Sequence, residues 1–152
     1  MMRRMSFAAA AAALLGGPAL AATTVAGPFP PAETVAIYKG AGFIVRNNLP
    51  LGCNTGNPDW PASQFFIEAV DLSGDGKPEA IISEGNIACF GRDEQAFTIV
   101  AKNPDGSWRK VGSGTGGTMP LKTRHNGWLD IEYGGPGMQK QPVLKWDGTN
   151  YQ

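Results

Sequence analysis

The sequence predicts a mainly β domain, an antiparallel sheet of hairpins with one short N-terminal helix; an α+β arrangement is the alternative. Three observations carry the prediction. Trp128-Leu129-Asp130-Ile131-Glu132-Tyr133 alternates apolar and acidic residues with the period of two that a half-buried strand requires. Asp75-Gly76, Asp105-Gly106 and Asp147-Gly148 lie between apolar runs, where Asp-Gly favours tight turns. Helix start and stop signals coincide only over 32–42, where a proline pair precedes Ala32, Glu33 sits in the first turn and Gly42 closes the run.

The chain opens with a leader. Met1-Met2-Arg3-Arg4 is a positive start, Phe7 to Leu15 is rich in Ala and Leu, and Ala19-Leu20-Ala21 is a small-residue cleavage site, so residues 1–21 read as a signal peptide. That reading implies a periplasmic or secreted protein with no membrane span after cleavage. Residues 22–31, with Pro28, Pro30 and Pro31, are expected to form an extended lead-in. Residues 32–152 then form a single β-rich domain of ordinary size. Without Arg3 and Arg4 the chain keeps 11 basic against 13 acidic residues, and no basic patch points to nucleic acid. Cys53 and Cys89 are expected to form a disulfide in an oxidising compartment, two free buried thiols being the other reading.

Within the domain, Phe43-Ile44-Val45-Arg46 reads as a strand and Asn47 to Ala62 as a loop holding Cys53. Phe65 to Val70 and Ala80 to Ile82 read as strands on either side of an acidic loop. Ala96 to Ala101 and Trp108 to Val111 form a hairpin about Asn103-Pro104-Asp105-Gly106. Gly112-Ser113-Gly114-Thr115-Gly116-Gly117 reads as a flexible loop. Its G-x-G-x-x-G spacing lacks the following helix whose N-terminus would meet a pyrophosphate. Trp128 to Tyr133 should place Leu129, Ile131 and Tyr133 in the core and Asp130 and Glu132 in water. Trp60, Trp108, Trp128 and Trp146 are expected to pack in or beside strands.

The acidic loop places oxygen-bearing Asp71, Ser73 and Asp75 at alternate positions, then Gly76, Lys77 and Glu79. Alternate oxygens before a glycine turn are the layout of a calcium loop, with the Lys77 carbonyl as a further donor. Position twelve from Asp71 is Ile82, which offers no bidentate carboxylate, and the flanks are strands, so the loop is not an EF-hand. Two readings compete: a weak calcium site through Asp71, Ser73, Asp75, Lys77 and Glu79, or a plain turn in which Asp and Ser bond nearby backbone.

The strand, acidic loop, Pro-Glu, strand arrangement of residues 65–83 resembles the repeat of FG-GAP and VCBS-type proteins, whose similar loops hold calcium between propeller strands. Here the motif occurs once, with Ser73 where Asp or Asn is usual, and the chain is too short for a propeller. The mature chain looks like small secreted bacterial proteins that carry one such loop, a resemblance that implies no established activity.

No catalytic residue is assigned. His125 is the only histidine, which excludes a zinc site with several histidine ligands. Ser113 lacks the G-x-S-x-G elbow of a hydrolase nucleophile. The expected function is a non-enzymatic binding module that docks a protein or a cell-surface glycan. Its binding surface is expected on the loops of Gly112 to Gly127 and Gly134 to Gln141, with Arg124, His125, Asn126 and Gln139 as polar contacts and Met119 and Met138 as apolar ones. The alternative is a small extracytoplasmic hydrolase using His125 and an acidic partner.

Overall fold

The computed structural model describes residues 27–54 and 62–152. The leader of residues 1–21, residues 22–26 of the lead-in and Trp60 therefore lie outside the described residues. Helix α1, Pro31–Gly40, forms where it was expected. Pro31 stands in its first turn, where an N–H has no intrahelical partner, and Glu33 and Lys39 match the helix dipole at its two ends. Strands β1, Val45–Arg46, and β2, Leu49–Pro50, make a small hairpin, shorter than the strand expected from Phe43. Its turn, Asn47-Asn48, holds both residues at positive φ, 50° and 65°.

The main sheet consists of β3 (Gln64–Val70), β4 (Glu79–Gly85), β5 (Gln95–Lys102) and β6 (Trp108–Thr115) in sequential antiparallel order. The acidic loop joins β3 to β4. A one-turn helix α2, Ile87–Phe90, capped by the Asn86 side chain, follows β4, so the N-terminal helix is not the only one. A second sheet of β7 (Gly117–His125), β8 (Trp128–Gly134) and β9 (Val143–Leu144) lies over β5 and β6.

Residues 112–117, expected to be a flexible loop, are instead the end of β6, a corner at Gly116 and the start of β7. Packing explains the glycines. A Cβ at Gly114 would stand 2.8 Å from the Phe97 ring. Gly116 has φ of +92°, and a Cβ there would meet the Gly134 backbone. Small residues let the chain pass from one sheet to the other directly over the core.

Strands β4, β5 and β6 of the main sheet are packed on both faces. On one side α1 brings Ile37 and Tyr38 against Ala80, Ile82, Val100 and Trp108, with Phe65 and Ile67 beside them. On the other side Leu72, Ile81, Phe97 and Ile99 meet Ile131, Trp146 and Tyr151 of the second sheet and C-terminus. Leu129 and Tyr133 pack against this cluster as the alternation predicted. The Tyr151 backbone N–H donates to the Val111 carbonyl at 2.7 Å and closes the C-terminus onto β6. Among the described residues no helix is long and apolar enough to cross a membrane.

Candidate functional site

The acidic loop is organised by its own hydrogen bonds. Gly74 donates its backbone N–H to Asp71 Oδ1 at 2.8 Å, and Gly76 donates to Oδ2 at 3.0 Å. Lys77 N–H donates to Asp75 Oδ1 at 2.8 Å, and Asp75 N–H to Ser73 Oγ at 3.4 Å. Glu79 turns inward: it is only 7% exposed and its Oε2 accepts from Leu72 N–H at 2.8 Å and Ser73 N–H at 3.1 Å. Burial pushes the Glu79 carboxyl up from its ordinary range, and those two backbone bonds pull it back only in part.

Two of the oxygen donors expected for calcium stand together. Asp71 Oδ1 and Ser73 Oγ stand 3.5 Å apart, and each keeps acceptor capacity beyond its present bonds. Glu79 braces the loop from inside. Among the described residues no three His, Cys, Asp or Glu side chains are gathered closely enough to share a metal ion. Hydrogen bonding inside the loop thus accounts for Asp71, Ser73, Asp75 and Glu79 in the arrangement seen.

The loop is pinned to the second sheet through Leu72, which is fully buried. Its carbonyl accepts from the Leu129 N–H at 2.9 Å and from Arg124 Nη1 at 3.2 Å. Arg124 Nη1 also donates to the Gly127 carbonyl at 2.7 Å, so its guanidinium ties the β7–β8 turn to the acidic loop. Asn126 Nδ2 donates to the Trp146 carbonyl at 2.8 Å. Two of the expected polar contacts, Arg124 and Asn126, therefore have structural partners.

His125 and Asp130 meet. Between Pro120 and Arg124 the register of β7 against β8 shifts, and this bulge lays Thr123 and His125 over Asp130. Thr123 Oγ1 donates to Asp130 Oδ2 at 2.6 Å, and His125 Nδ1 lies 2.6 Å from Oδ1. Asp130 was expected to face water and is 2% exposed: the bulge covers it, and its hydrogen bonds replace hydration. Burial alone would raise its carboxyl; the bonds from Thr123 and His125, with the charges of His125 and Lys145, outweigh this and hold it below the usual carboxylate range. Burial, Glu79 and Asp130 together push the Tyr151 phenol up, and its hydroxyl donates to the Leu129 carbonyl at 2.7 Å.

Gln139 is elsewhere. It lies in an exposed bend after β8, whereas Arg124, His125 and Asn126 lie before β8. Seven strand residues separate the two groups by about 20 Å, so the four do not converge. Met119 and Met138 are exposed, as a contact surface requires.

A cleft of about 670 Å³ opens beside the acidic loop instead. Phe29 and Trp108, in edge-to-face contact at 5.7 Å, form its apolar floor. Glu33, Asp75, Lys77, Lys102 and Asn103 supply polar groups of both signs. The lead-in, the acidic loop and the β5–β6 turn converge here, a meeting that linear spacing did not reveal. A smaller hollow of about 460 Å³ borders Asp93, Glu94 and Gly134 to Pro136. No family model, curated protein or solved structure matches this chain.

Cys53 and Cys89 are disulfide-bonded, 36 residues apart in sequence. Glu84, buried on the α1 side of β4, secures the same corner by accepting from Cys53 N–H at 2.5 Å and Ser63 Oγ at 2.6 Å. Nothing in the sequence pattern distinguished this glutamate from a solvated one.

Proposed function

We propose that this chain is an exported, non-enzymatic binding module that docks a protein or a cell-surface glycan in the cleft beside its acidic loop. The observation that carries the reading is the cleft itself: a concave site of about 670 Å³ with an aromatic floor and a rim of Lys, Asp, Glu and Asn. Such a lining offers hydrogen bonds of both senses together with apolar contact, which suits a polar ligand with an apolar face. Export rests on the leader sequence, and the disulfide is compatible with an oxidising compartment. We further propose that the acidic loop binds calcium weakly through Asp71, Ser73, Asp75 and the Lys77 carbonyl, with Glu79 as the internal brace. Calcium there would stiffen one wall of the cleft.

The test is amide shift mapping of the mature protein with fractionated envelope glycans and peptides from the host. Shifts at Asp75, Lys77, Asn103 and Gly106 are the expected result. Shifts confined to His125 and Asn126 would move the site to the β7–β8 turn, and no shift with any fraction would remove the binding reading.

A second reading rests on the His125–Asp130 bond. A buried carboxylate on Nδ1 orients an imidazole for general-base work on water through Nε2, which favours a hydrolase. Turnover of ester, peptide or glycoside substrates that His125→Ala abolishes would establish it.

A further inference from the structure

Strand β3 pairs with β4 on one side and, among the described residues, with no strand on the other. An open edge presents a row of unpaired backbone donors and acceptors, and proteins usually blunt it with charged side chains, lysine above all, with proline, a bulge or a short strand. Of these devices β3 carries a single charge, Glu68, and no other. It runs seven residues, Gln64-Phe65-Phe66-Ile67-Glu68-Ala69-Val70, in unbroken register with β4 and contains neither Lys nor Pro. Phe65 and Ile67 point into the α1 side of the core. Phe66 points to the opposite face and is 67% exposed, although the second sheet covers that face over β5 and β6.

We propose that this edge is a homodimer interface, in which β3 pairs antiparallel with β3 of a second copy about a two-fold axis at Phe66. Charge and shape select the register. Glu68 is the only charged residue of the strand. An axis at Phe66 sets Phe66 against the second copy's Phe66, Phe65 against its Ile67, and Glu68 against the neutral Gln64, whose amide can donate to the carboxylate. An axis at Glu68 would oppose two like charges, which disfavours pairing, and an axis at Ile67 would face each Phe66 ring with a carboxylate. The Phe66 register extends both cores across the interface, buries the exposed ring in an aromatic pair and uses the same patch on both copies. The two four-stranded sheets become one of eight strands, within the range that open sheets reach.

Sedimentation of the mature, oxidised protein tests this. At about 0.1 mM, some hundredfold above a micromolar Kd, the protein should sediment as a dimer and Phe66→Lys as a monomer with native near-UV dichroism. Should the lysine variant misfold, Phe66→Ser serves in its place. A wild-type monomer at that concentration, or a dimer that survives a folded Phe66 variant, would overturn the proposal. The register has its own readout that keeps Phe66: opposed Cβ atoms at about 4.5–5.5 Å let Gln64→Cys in one copy and Glu68→Cys in the other close a mixed intermolecular disulfide. Bridging of Glu68→Cys with itself in place of the mixed pair would refute the two-fold at Phe66.

Discussion

Leu129 donates its backbone N–H to the Leu72 carbonyl at 2.9 Å, and Arg124 shares that acceptor. Through this carbonyl the acidic loop, which begins on the main sheet, is held by the second sheet. Arg124→Ala should destabilise the fold by about 1–2 kcal/mol, since it removes two charge-assisted bonds to carbonyls, one of them from a fully buried residue. Arg124→Lys should recover less than half, because both bonds leave from Nη1 at the tip of the guanidinium and the shorter lysine side chain does not carry its ammonium to that position. Urea denaturation of the three proteins measures both effects, and equal stabilities would show that Leu129 alone secures the loop.

Asp130 makes acid stability depend on the β7 bulge. Its folded carboxyl titrates below its unfolded value, so its contribution is present above the unfolded range, about 3.9, and is lost as pH falls through the lower folded value. Asp130→Asn should cost about 1–3 kcal/mol at pH 7, because Asn cannot accept on both sides from Thr123 and His125. The gap between the two proteins should narrow below about pH 4 as the wild-type carboxylate takes up its proton. A constant gap from pH 3 to pH 7 would contradict this account.

Much of the fold was legible because its strands obey simple alternation and its single long helix carries start and stop signals. The β5–β6 hairpin and the core face of β8 follow from those patterns directly. The β7 strand was missed, although Asn126-Gly127 marks its turn: both residues have positive φ, 47° and 87°, as a tight hairpin turn demands. Two effects masked it. The glycines that lead into it, Gly114 and Gly116, serve close packing under Phe97 and against Gly134, and the bulge after Pro120 breaks the alternation. The same bulge buries Asp130, so a residue that alternation assigns to solvent becomes the partner of His125. The cleft was illegible for another reason: Phe29, Asp75, Lys102 and Trp108 come from four segments that only the tertiary fold brings together.

Glu79 has the opposite pH signature to Asp130. Burial raises its folded carboxyl above the unfolded value, so its favourable contribution is fully present below the unfolded value, about 4.3, and is lost as pH rises through the folded value. Glu79→Gln, which cannot ionise, should therefore compare more favourably with wild type at pH 7 than at pH 4 in urea melts. Calcium should act in the other sense at neutral pH, adding about 1.4 kcal/mol at ten times its Kd by mass action. That gain should vanish in Asp75→Ala. A wild-type melting temperature indifferent to millimolar calcium would leave the loop as a hydrogen-bonded turn alone.

Gly40 tests how closely α1 must approach the sheet. In a helix, replacing glycine by alanine ordinarily gains about 1 kcal/mol from reduced unfolded-state freedom and better helix propensity. Gly40, however, lies against Trp108: a Cβ there would stand 2.5 Å from the Trp108 carbonyl oxygen and 2.6 Å from its Cβ. Neither atom is the free end of a flexible side chain, so the helix or β6 must shift, at a cost of about 1–3 kcal/mol that outweighs the gain. Gly40→Ala should thus be net destabilising in thermal melts. It should also weaken ligand binding in the cleft, because Trp108 forms the cleft's floor and would move with the strand. Gly27→Ala, where no atom lies within 4 Å of the added Cβ, serves as the control and should leave stability and binding unchanged.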